Sequence, residues 1–422
     1  TVAIDNVGFI APDHPMIDWE FIYKGVRYRI TGISPNTVSI PDHEALEKKE
    51  SVDGDLIIPE SINDPGTNAS YALTYIGMFA FDGCKTLKTV DIPGTVKSIG
   101  YMAFYNTSAT SVTLHEGLEY IDNQAFDSGE FTSITIPASV KIIEPYAFSS
   151  CKSLSSVTFK SLPILGGGEG SRWGKDESFK KCNSLSTKIL DLTDSDKPYI
   201  GTSLNYYPGD FTEARYHRTL VNDGTWGTIV LPFKPASTEG LKFYALQSMT
   251  TGGEEGGSLT FMKVDAPEAG VPYLFRNEGE SADFTLTAET PSSIVLNTQE
   301  IGTDFKMKGS FQQTSLNTAD AQNDNLYYLK DNEFFHANGK INIAPFRAYI
   351  EGNGTSSAKS FMLVVSDNGD DITAIPGIMD ADGNIDETEA IYDLNGRLLT
   401  SPVKGQVNII RLKSGKTVKR MF

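Results

Sequence analysis

The chain has 422 residues, 39% of them hydrophobic and 10% aromatic, and a formal net charge of −18. That length is too great for one compact core and predicts two or three domains, while the apolar content excludes disorder over most of the chain. The acidity argues against nucleic acid or anionic lipid as a partner, because both need a basic surface, and no apolar run reaches the length of a membrane helix.

The charge itself is read as solubility, with calcium-assisted contacts as the sharper alternative. Thirty-eight glycines and 20 prolines favour a turn-rich, mainly β chain. The sequence opens at Thr1 with no signal peptide in view, which is also how a processed, exported chain reads.

In chain order, the first regular pattern is Phe21 to Ile40, where Tyr23, Val26, Tyr28 and Ile30 alternate as in a β-hairpin. A repeat follows. Ala-Phe pairs stand at Ala80-Phe81, Ala103-Phe104, Ala125-Phe126 and Ala147-Phe148, spaced by 22 or 23 residues, and a weaker copy has Ser178-Phe179. An apolar skeleton returns between them: Leu87, Val90, Ile92-Pro93, Val96 and Ile99 in one unit, and Phe131, Ile134, Ile136-Pro137, Val140 and Ile143 in another. Val112, Leu114, Leu118 and Ile121 fill the unit between. Leu154, Val157 and Phe159 begin a fourth, and Leu56 to Pro59 with Tyr75 and Ile76 form an upstream partial copy. Val90-x-Ile92 alternates as a short strand. The Pro that follows ends the ladder, and Ala103-Phe104 plugs the interior. A unit this small cannot bury its apolar face alone, so the units must stack as a solenoid.

Cys84, Cys151 and Cys182 each fall three residues after a repeat Phe, where other units have Thr107 and Gly129. This predicts a small inward slot and buried free thiols. A disulfide between Cys151 and Cys182, in neighbouring units, is left open, and no His recurs beside any of the three to make a catalytic cysteine.

The run Ile99-Gly100-x-x-Ala103-Phe104 with its Ile-Pro strands resembles the BspA-type leucine-rich repeats of Bacteroidetes surface proteins, over roughly residues 50–190. The resemblance implies an exported, non-catalytic role in adhesion or binding, commonly to host or matrix proteins, and makes the leading hairpin a cap of the solenoid.

The step between the fourth and fifth Phe lengthens, and the insertion contains Gly166 to Lys175. A phosphate loop is rejected there, because Glu169 and Asp176 break the pattern and no strand-to-helix junction follows. Insertions in repeat arrays emerge as loops, and Arg172 and Trp173 are residue types enriched at interface hot spots, so these two are the candidate binding residues. Trp173 folded back over the solenoid end is the competing expectation. Lys188 stands where earlier units have an inward Val, which suits a terminal cap.

Residues 191–210 read as a linker. About ten short strands follow between Trp226 and Val365, with hairpin turns expected at Asp331-Asn332 and Asn338-Gly339, which argues for an antiparallel sandwich. The stretch from Gly224 to Phe233 resembles β-domains that accompany such repeats. Asp380-x-Asp382-x-Asn384 mimics a calcium loop, but Ile385 and Ile391 replace its Gly and Glu, so a solvated linker is expected. Asn395-Gly396 then opens a small C-terminal meander.

His14, His43, His115, His217 and His336 are scattered, and no zinc, serine-hydrolase or other catalytic motif appears. The reading is therefore mainly β: an N-terminal cap (1–50), a solenoid of about five units (51–190), a linker (191–210), an antiparallel β-domain (211–368), and an acidic linker with a small β-module or the last sandwich strands (369–422). The expected function is extracellular or cell-surface protein binding through the solenoid face, without cofactor or metal. The alternative is carbohydrate binding by the β-domain through Trp226, Tyr327 and Tyr328.

Overall fold

The computed structural model describes residues 16–43, 46, 54–166, 177–201, 211–251, 257–291, 293–302, 305–318, 325–352 and 358–367, and strand segments between 372 and 421. Arg172, Trp173, Asp380 to Asn384 and Asn395-Gly396 lie outside the described residues. Among the described residues every regular element is a strand, and no helix is long and apolar enough to cross a membrane. Two compact units emerge: residues 1–217 with 285–296, and residues 218–284 with 297–422.

The first unit begins with β1 (Glu20–Tyr23) and β2 (Val26–Ile33), an antiparallel hairpin turned through Lys24 and Gly25, both at positive φ. Phe21, Val26, Tyr28 and Ile30 point inward, while Tyr23 at the tip stays exposed. β3 (Asn36–Ile40) pairs with β2 and then runs parallel to β6 (Ser70–Ile76), which joins the hairpin to the repeats as a cap. Between them lie β4 (Gly54–Ile57) and β5 (Ser61–Asn63).

Each repeat then contributes one strand to each of two parallel ladders. The inner ladder continues from β6 through β8 (Ser98–Ile99), β10 (Tyr120–Ile121), β12 (Ile142–Ile143) and β14 (Ile164–Leu165). The outer strands are β4, β7 (Leu87–Ile92), β9 (Ser111–Leu114), β11 (Ser133–Ile136), β13 (Ser156–Phe159), β15 (Thr187–Thr193) and β16 (Glu213–Thr219).

Between the ladders the repeat phenylalanines stack. Phe81, Phe104, Phe126, Phe148 and Phe179 follow one another at centroid spacings of 5.0, 5.2, 5.4 and 5.2 Å, with planes within 10° of parallel. The N–H of each repeat Phe donates to the carbonyl of the residue before the next Phe: Phe81 to Ala103, Phe104 to Ala125, Phe126 to Ala147 and Phe148 to Ser178. The turn needs two left-handed residues per unit. Phe79, Met102, Gln124 and Tyr146 occupy the first position and Gly83, Asn106, Ser128, Ser150 and Lys181 the second, at φ between 52° and 66°. Most are not glycine, so the stack holds a backbone conformation that their side chains disfavour locally.

The three cysteines are buried and free. The Cys151 thiol donates to the Phe126 carbonyl at 3.2 Å and the Cys182 thiol to that of Phe148 at 3.0 Å. Each therefore ties its unit to the preceding one, and the disulfide left open by the spacing is not formed. Contact with Cys182 and burial push the Cys151 thiol up, which keeps it protonated and inert.

The outer ladder is interrupted once. β4–β7–β9 and β11–β13–β15–β16 are each hydrogen-bonded throughout, but β9 and β11 are not paired. A cleft of about 270 Å³ opens between them, lined by Thr110 to Leu114 and Thr132 to Thr135. It coincides with a change in one inward slot, held by Leu87, Leu154 and Leu185 elsewhere but by Ala109 and Phe131 on the two sides of the break. The Phe131 ring sits edge-on to Phe126 and Phe148, and a Cβ on Gly129 would come within 2.5 Å of it.

Beyond the fifth Phe the ladder does not stop at Lys188. Lys188 lies in register with Val157, half-buried, and β15 pairs onward with β16. In residues 191–201 the first three complete β15, and Ile200 bridges to Leu162. On the outward side Asp191 is flanked in register by Arg215, and it accepts from Arg215 Nε at 2.6 Å, His217 Nε2 at 2.8 Å and Lys160 Nζ. Burial alone would raise the Asp191 pKa, but the hydrogen bonds from Arg215, Lys160 and His217 outweigh it and hold the carboxyl at about 2.

The second unit holds β17 (Gly227–Val230), β18 (Leu241–Thr251), β19 (Gly257–Val264), β20 (Pro272–Asn277), β21 (Asp283–Thr287, shared with the first unit), β22 (Glu300–Ile301), β23 (Phe305–Ser310), β24 (Thr314–Asn317), β25 (Leu326–Lys330), β26 (Glu333–His336), β27 (Lys340–Ile343), β28 (Arg347–Gly352) and β29 (Ser360–Ser366). Its main sheet runs β17–β20–β18–β19–β29–β26–β25–β28–β23–β22, antiparallel except for the β19–β29 pair. The sheet folds back on itself: Thr228 Oγ1 donates to the Ala348 carbonyl and accepts from its N–H, and Val230 N–H reaches the Phe346 carbonyl. The enclosed core contains Trp226, Phe261, Tyr327, Phe334 and Phe361, which gives the expected sandwich-like domain.

Asp331-Asn332 forms the expected hairpin turn, with both residues at positive φ. Asn338-Gly339 does not: β26 stays in the main sheet, while β27 pairs with β24 in a separate two-stranded sheet. Buried Ala337 donates to the Leu326 carbonyl just before the turn and fixes β26 to its own partner. The C-terminal strands are β30 (Ile372–Ala374), which adds to β29, then β31 (Ile378–Met379), β32 (Ile385–Asp386), β33 (Thr388–Tyr392), β34 (Leu398–Leu399), β35 (Val407–Leu412) and β36 (Thr417–Met421). The last four form their own antiparallel sheet, the expected meander, in the order β34–β33–β35–β36.

Three outcomes follow from this packing. Phe126→Ala, at the centre of the ring stack, should cost about 3–5 kcal/mol in chemical denaturation. Amides of β11 should exchange faster than those of β13, and Phe131→Leu should slow them; unchanged exchange would show that the ring does not hold the cleft open. The Asp191 carboxyl, depressed in the folded chain, contributes stability that is present above about pH 4 and lost as the pH falls toward about 2. Asp191→Asn should therefore destabilise the neutral protein by about 2 kcal/mol and flatten that acid limb in thermal melts across pH.

Candidate functional site

The inner ladder is built from two-residue rungs. Ile76, Ile99, Ile121, Ile143 and Leu165 point inward and are fully buried. The residue before each points outward, and register aligns Tyr75, Ser98, Tyr120, Ile142 and Ile164 in one row. All five are half-buried. At a strand spacing of about 4.8 Å the row extends about 19 Å.

Its two margins differ. The residues preceding the row are Thr74, Lys97, Glu119 and Lys141. Here Lys141 pairs with Glu119, and Lys97 Nζ donates to the Gly94 and Gly117 carbonyls. On the other margin, the positions after the inward residue are Gly77, Gly100, Asp122 and Glu144. Gly100 leaves room for Tyr75, since a Cβ there would stand 2.7 Å from the phenol oxygen. Gly77 leaves the same room for Asp42, with a Cβ falling 2.6 Å from its Oδ1. Tyr120 donates to Glu144 Oε1 at 2.9 Å.

Burial, then Asp42 and Asp122, push Tyr75 up to about 12. Burial, then Asp122 and the bond to Glu144, push Tyr120 up as well. Asp122 is raised because burial outweighs the backbone N–H groups of Asn123 and Tyr101 that it accepts. Both phenols therefore stay neutral donors at physiological pH, on a surface carrying carboxylates.

The opposite face is a sparser array of outward hydroxyls: Ser111 and Thr113 on one side of the cleft, and Ser133, Thr135, Ser156 and Thr158 on the other. His115 lies on this surface, as its place in the repeat suggests, and meets Asp91 at 2.7 Å.

One arrangement has the outline of a catalytic relay: Thr285 Oγ1 lies 2.8 Å from His217 Nδ1, and His217 Nε2 lies 2.8 Å from Asp191. The Asp191 carboxylate is shared with Lys160 and Arg215, whose positive charges offset the support it would give an imidazolium on His217. The cluster binds β13, β15 and β16 together instead. Among the described residues, no group of three or more His, Cys, Asp or Glu could hold a metal ion.

Trp226 and Tyr327, the aromatics considered for a sugar platform, are buried in the sandwich core, and Tyr328 packs half-buried against a smaller cluster. Arg172 and Trp173 lie outside the described residues. The Tyr75–Ile164 row was not singled out from the sequence. Its signal was present, however, as the residue immediately before the inward Ile or Leu in five successive units.

Residues 65–167 match the family described as BspA type leucine-rich repeat region, in six copies, whereas the ring stack counts five phenylalanines. No curated protein matches the chain. Among solved structures, a leucine-rich repeat protein of Bacteroides ovatus shares 22% identity over 42% of this chain and 49% of its own, with a TM-score of 0.28. The T. pallidum leucine-rich repeat protein shares 26% over 42% of this chain and 75% of its own, with a TM-score of 0.32. The pneumococcal vaccine antigen PcpA shares 20% over 48% of this chain and 51% of its own, also at 0.32. The chain thus spans about half the length of the first and third of these. The periodic ladder and the family match agree over one stretch: residues 65–167 carry repeats that match the BspA type leucine-rich repeat region.

Proposed function

We propose that the protein is a secreted or surface-held binding protein of a Bacteroidetes bacterium, and that its solenoid recognises a protein partner through the Tyr75–Ser98–Tyr120–Ile142–Ile164 row. One observation carries this reading: a half-exposed aromatic and aliphatic row lies on rungs whose inward neighbours are fully buried. Tyrosine offers a large contact area with little rotamer freedom to lose, and a ladder fixed on its inner side presents the row already ordered, which lowers the cost of association. Arg172 and Trp173, which the sequence puts in the insertion between the fourth and fifth repeat Phe, are proposed as auxiliary contacts. The sugar-binding alternative loses its main support with Trp226 and Tyr327 in the core.

The test is binding of the full chain to a panel of purified extracellular-matrix proteins by biolayer interferometry. At least one should bind, and Tyr120→Ala with Ile142→Ser should weaken it about tenfold or more, a loss of about 1.4 kcal/mol. Deleting residues 167–176 should weaken it less. Full affinity in the double variant, or binding confined to glycan probes, would overturn the proposal.

A further inference from the structure

The carboxylate margin of the row is electrostatically incomplete. Asp42 accepts the Met78 amide at 2.7 Å, and Asp122 accepts that of Asn123 at 2.6 Å. Among the described residues neither forms an ion pair, whereas Glu119 across the row does. The Tyr75 hydroxyl lies against Gly100, and both carboxylates act on it. Asp42 is exposed and Asp122 half-buried, and carboxylates beside an aromatic ring favour the arrival of a cation that meets both.

The solenoid shows the completed version of this arrangement elsewhere in the array. Lys180 Nζ lies 5.2 Å from the centre of the Tyr146 ring and 2.7 Å from Glu177 Oε1, so ring, carboxylate and ammonium are satisfied within the chain. At Tyr75 the ring and the carboxylates are present, and among the described residues no ammonium meets them.

We infer that the Asp42–Tyr75–Asp122 margin receives a lysine or arginine side chain from an exposed segment of the partner protein, with Tyr120, Ile142 and Ile164 covering the apolar residues beside it. This rests on the reading that the row meets a protein, and it names the charge that the partner brings. The net charge of −18 adds long-range attraction for such a segment.

The experiment titrates the full chain with fluorescent short peptides of alternating Lys and Ser, or alternating Glu and Ser, by anisotropy. The Lys peptide should bind and the Glu peptide should not. Asp42→Asn with Asp122→Asn should weaken the Lys peptide about tenfold or more. The control Asp55→Asn with Glu130→Gln removes the same charge outside the row and should change binding less than about twofold. Equal losses in both double variants would mean attraction by net charge alone and would overturn the inference, as would absence of Lys-peptide binding to the unmodified chain. If the Asn variants do not fold, Tyr75→Leu keeps the charges and removes the ring. It should weaken the Lys peptide several-fold, and an unchanged affinity would overturn the inference. With a matrix protein from the panel, loss on Tyr120→Ala but not on Asp42→Asn with Asp122→Asn would remove the cation and leave protein recognition standing. Loss on neither would remove both.

Discussion

Phe104, Phe126 and Phe148 are buried with another repeat ring lying flat on both sides of each, and the rest of the first unit is arranged to keep that spacing. Rings about 5 Å apart match the rise between hydrogen-bonded strands, so ring stack and ladders share one repeat. The residue before the Phe is a fully buried Ala or Ser from Ala103 to Ser178, and its carbonyl accepts from the preceding unit's Phe amide. The slot three residues after the Phe is small as well, and a Cys there adds a bond to the preceding Phe carbonyl. Even the left-handed Phe79, Met102, Gln124 and Tyr146 follow from this constraint. A unit out of the stack would have little reason to hold them, whereas in the stack the backbone bonds on both sides leave no alternative path.

This explains which features of the solenoid were legible in the sequence. A spacing of 22 or 23 residues, the Ile-Pro strands and the cysteine slot are direct consequences of stacking, and each could be read from residue type alone. The left-handed positions could not, since Met102 and Tyr146 carry no conformational signature. The break between β9 and β11 was also hidden, because Ala109 and Phe131 each fit the apolar pattern and only their juxtaposition across the ladder is unusual. Lys188 misled for a related reason. A polar residue at an inward position reads as the end of a core, but β16 follows β15 in register, and the charges that matter lie on the outward side, around Asp191.

In the second unit, alternation identified strands and a sandwich-like core but not their pairing. Asn338-Gly339 has the composition of a tight hairpin, yet the chain passes through it from one sheet to another, because Ala337 is already committed to Leu326. The parallel β19–β29 contact joins strands about a hundred residues apart, for which no local signal exists. Aromatic residues gave the least reliable functional clue. Trp226 and Tyr327 are large enough to bind a sugar ring, and for the same reason gain most from burial in the core, where both are found.

The two-residue rung concentrates these lessons. Tyr120 and Ile121 are adjacent, but Ile121 faces the stack and is fully buried, while Tyr120 faces outward and is only half-buried. Replacing the inward residue disturbs the ladder, whereas the outward one can change with little effect on the fold. A stacked array therefore separates the positions that hold it together from the positions that meet a partner. The surface departures from the repeat pattern are where function should lie: Tyr75 resting over Gly100, and Asp122 where two earlier units have glycine. The glycine of the next rung leaves room for the Tyr75 hydroxyl, and the carboxylate one rung further on raises the negative potential beside it. That pairing costs stability through the partial burial of Asp122, and it is most simply accounted for by a cation that arrives from outside the chain.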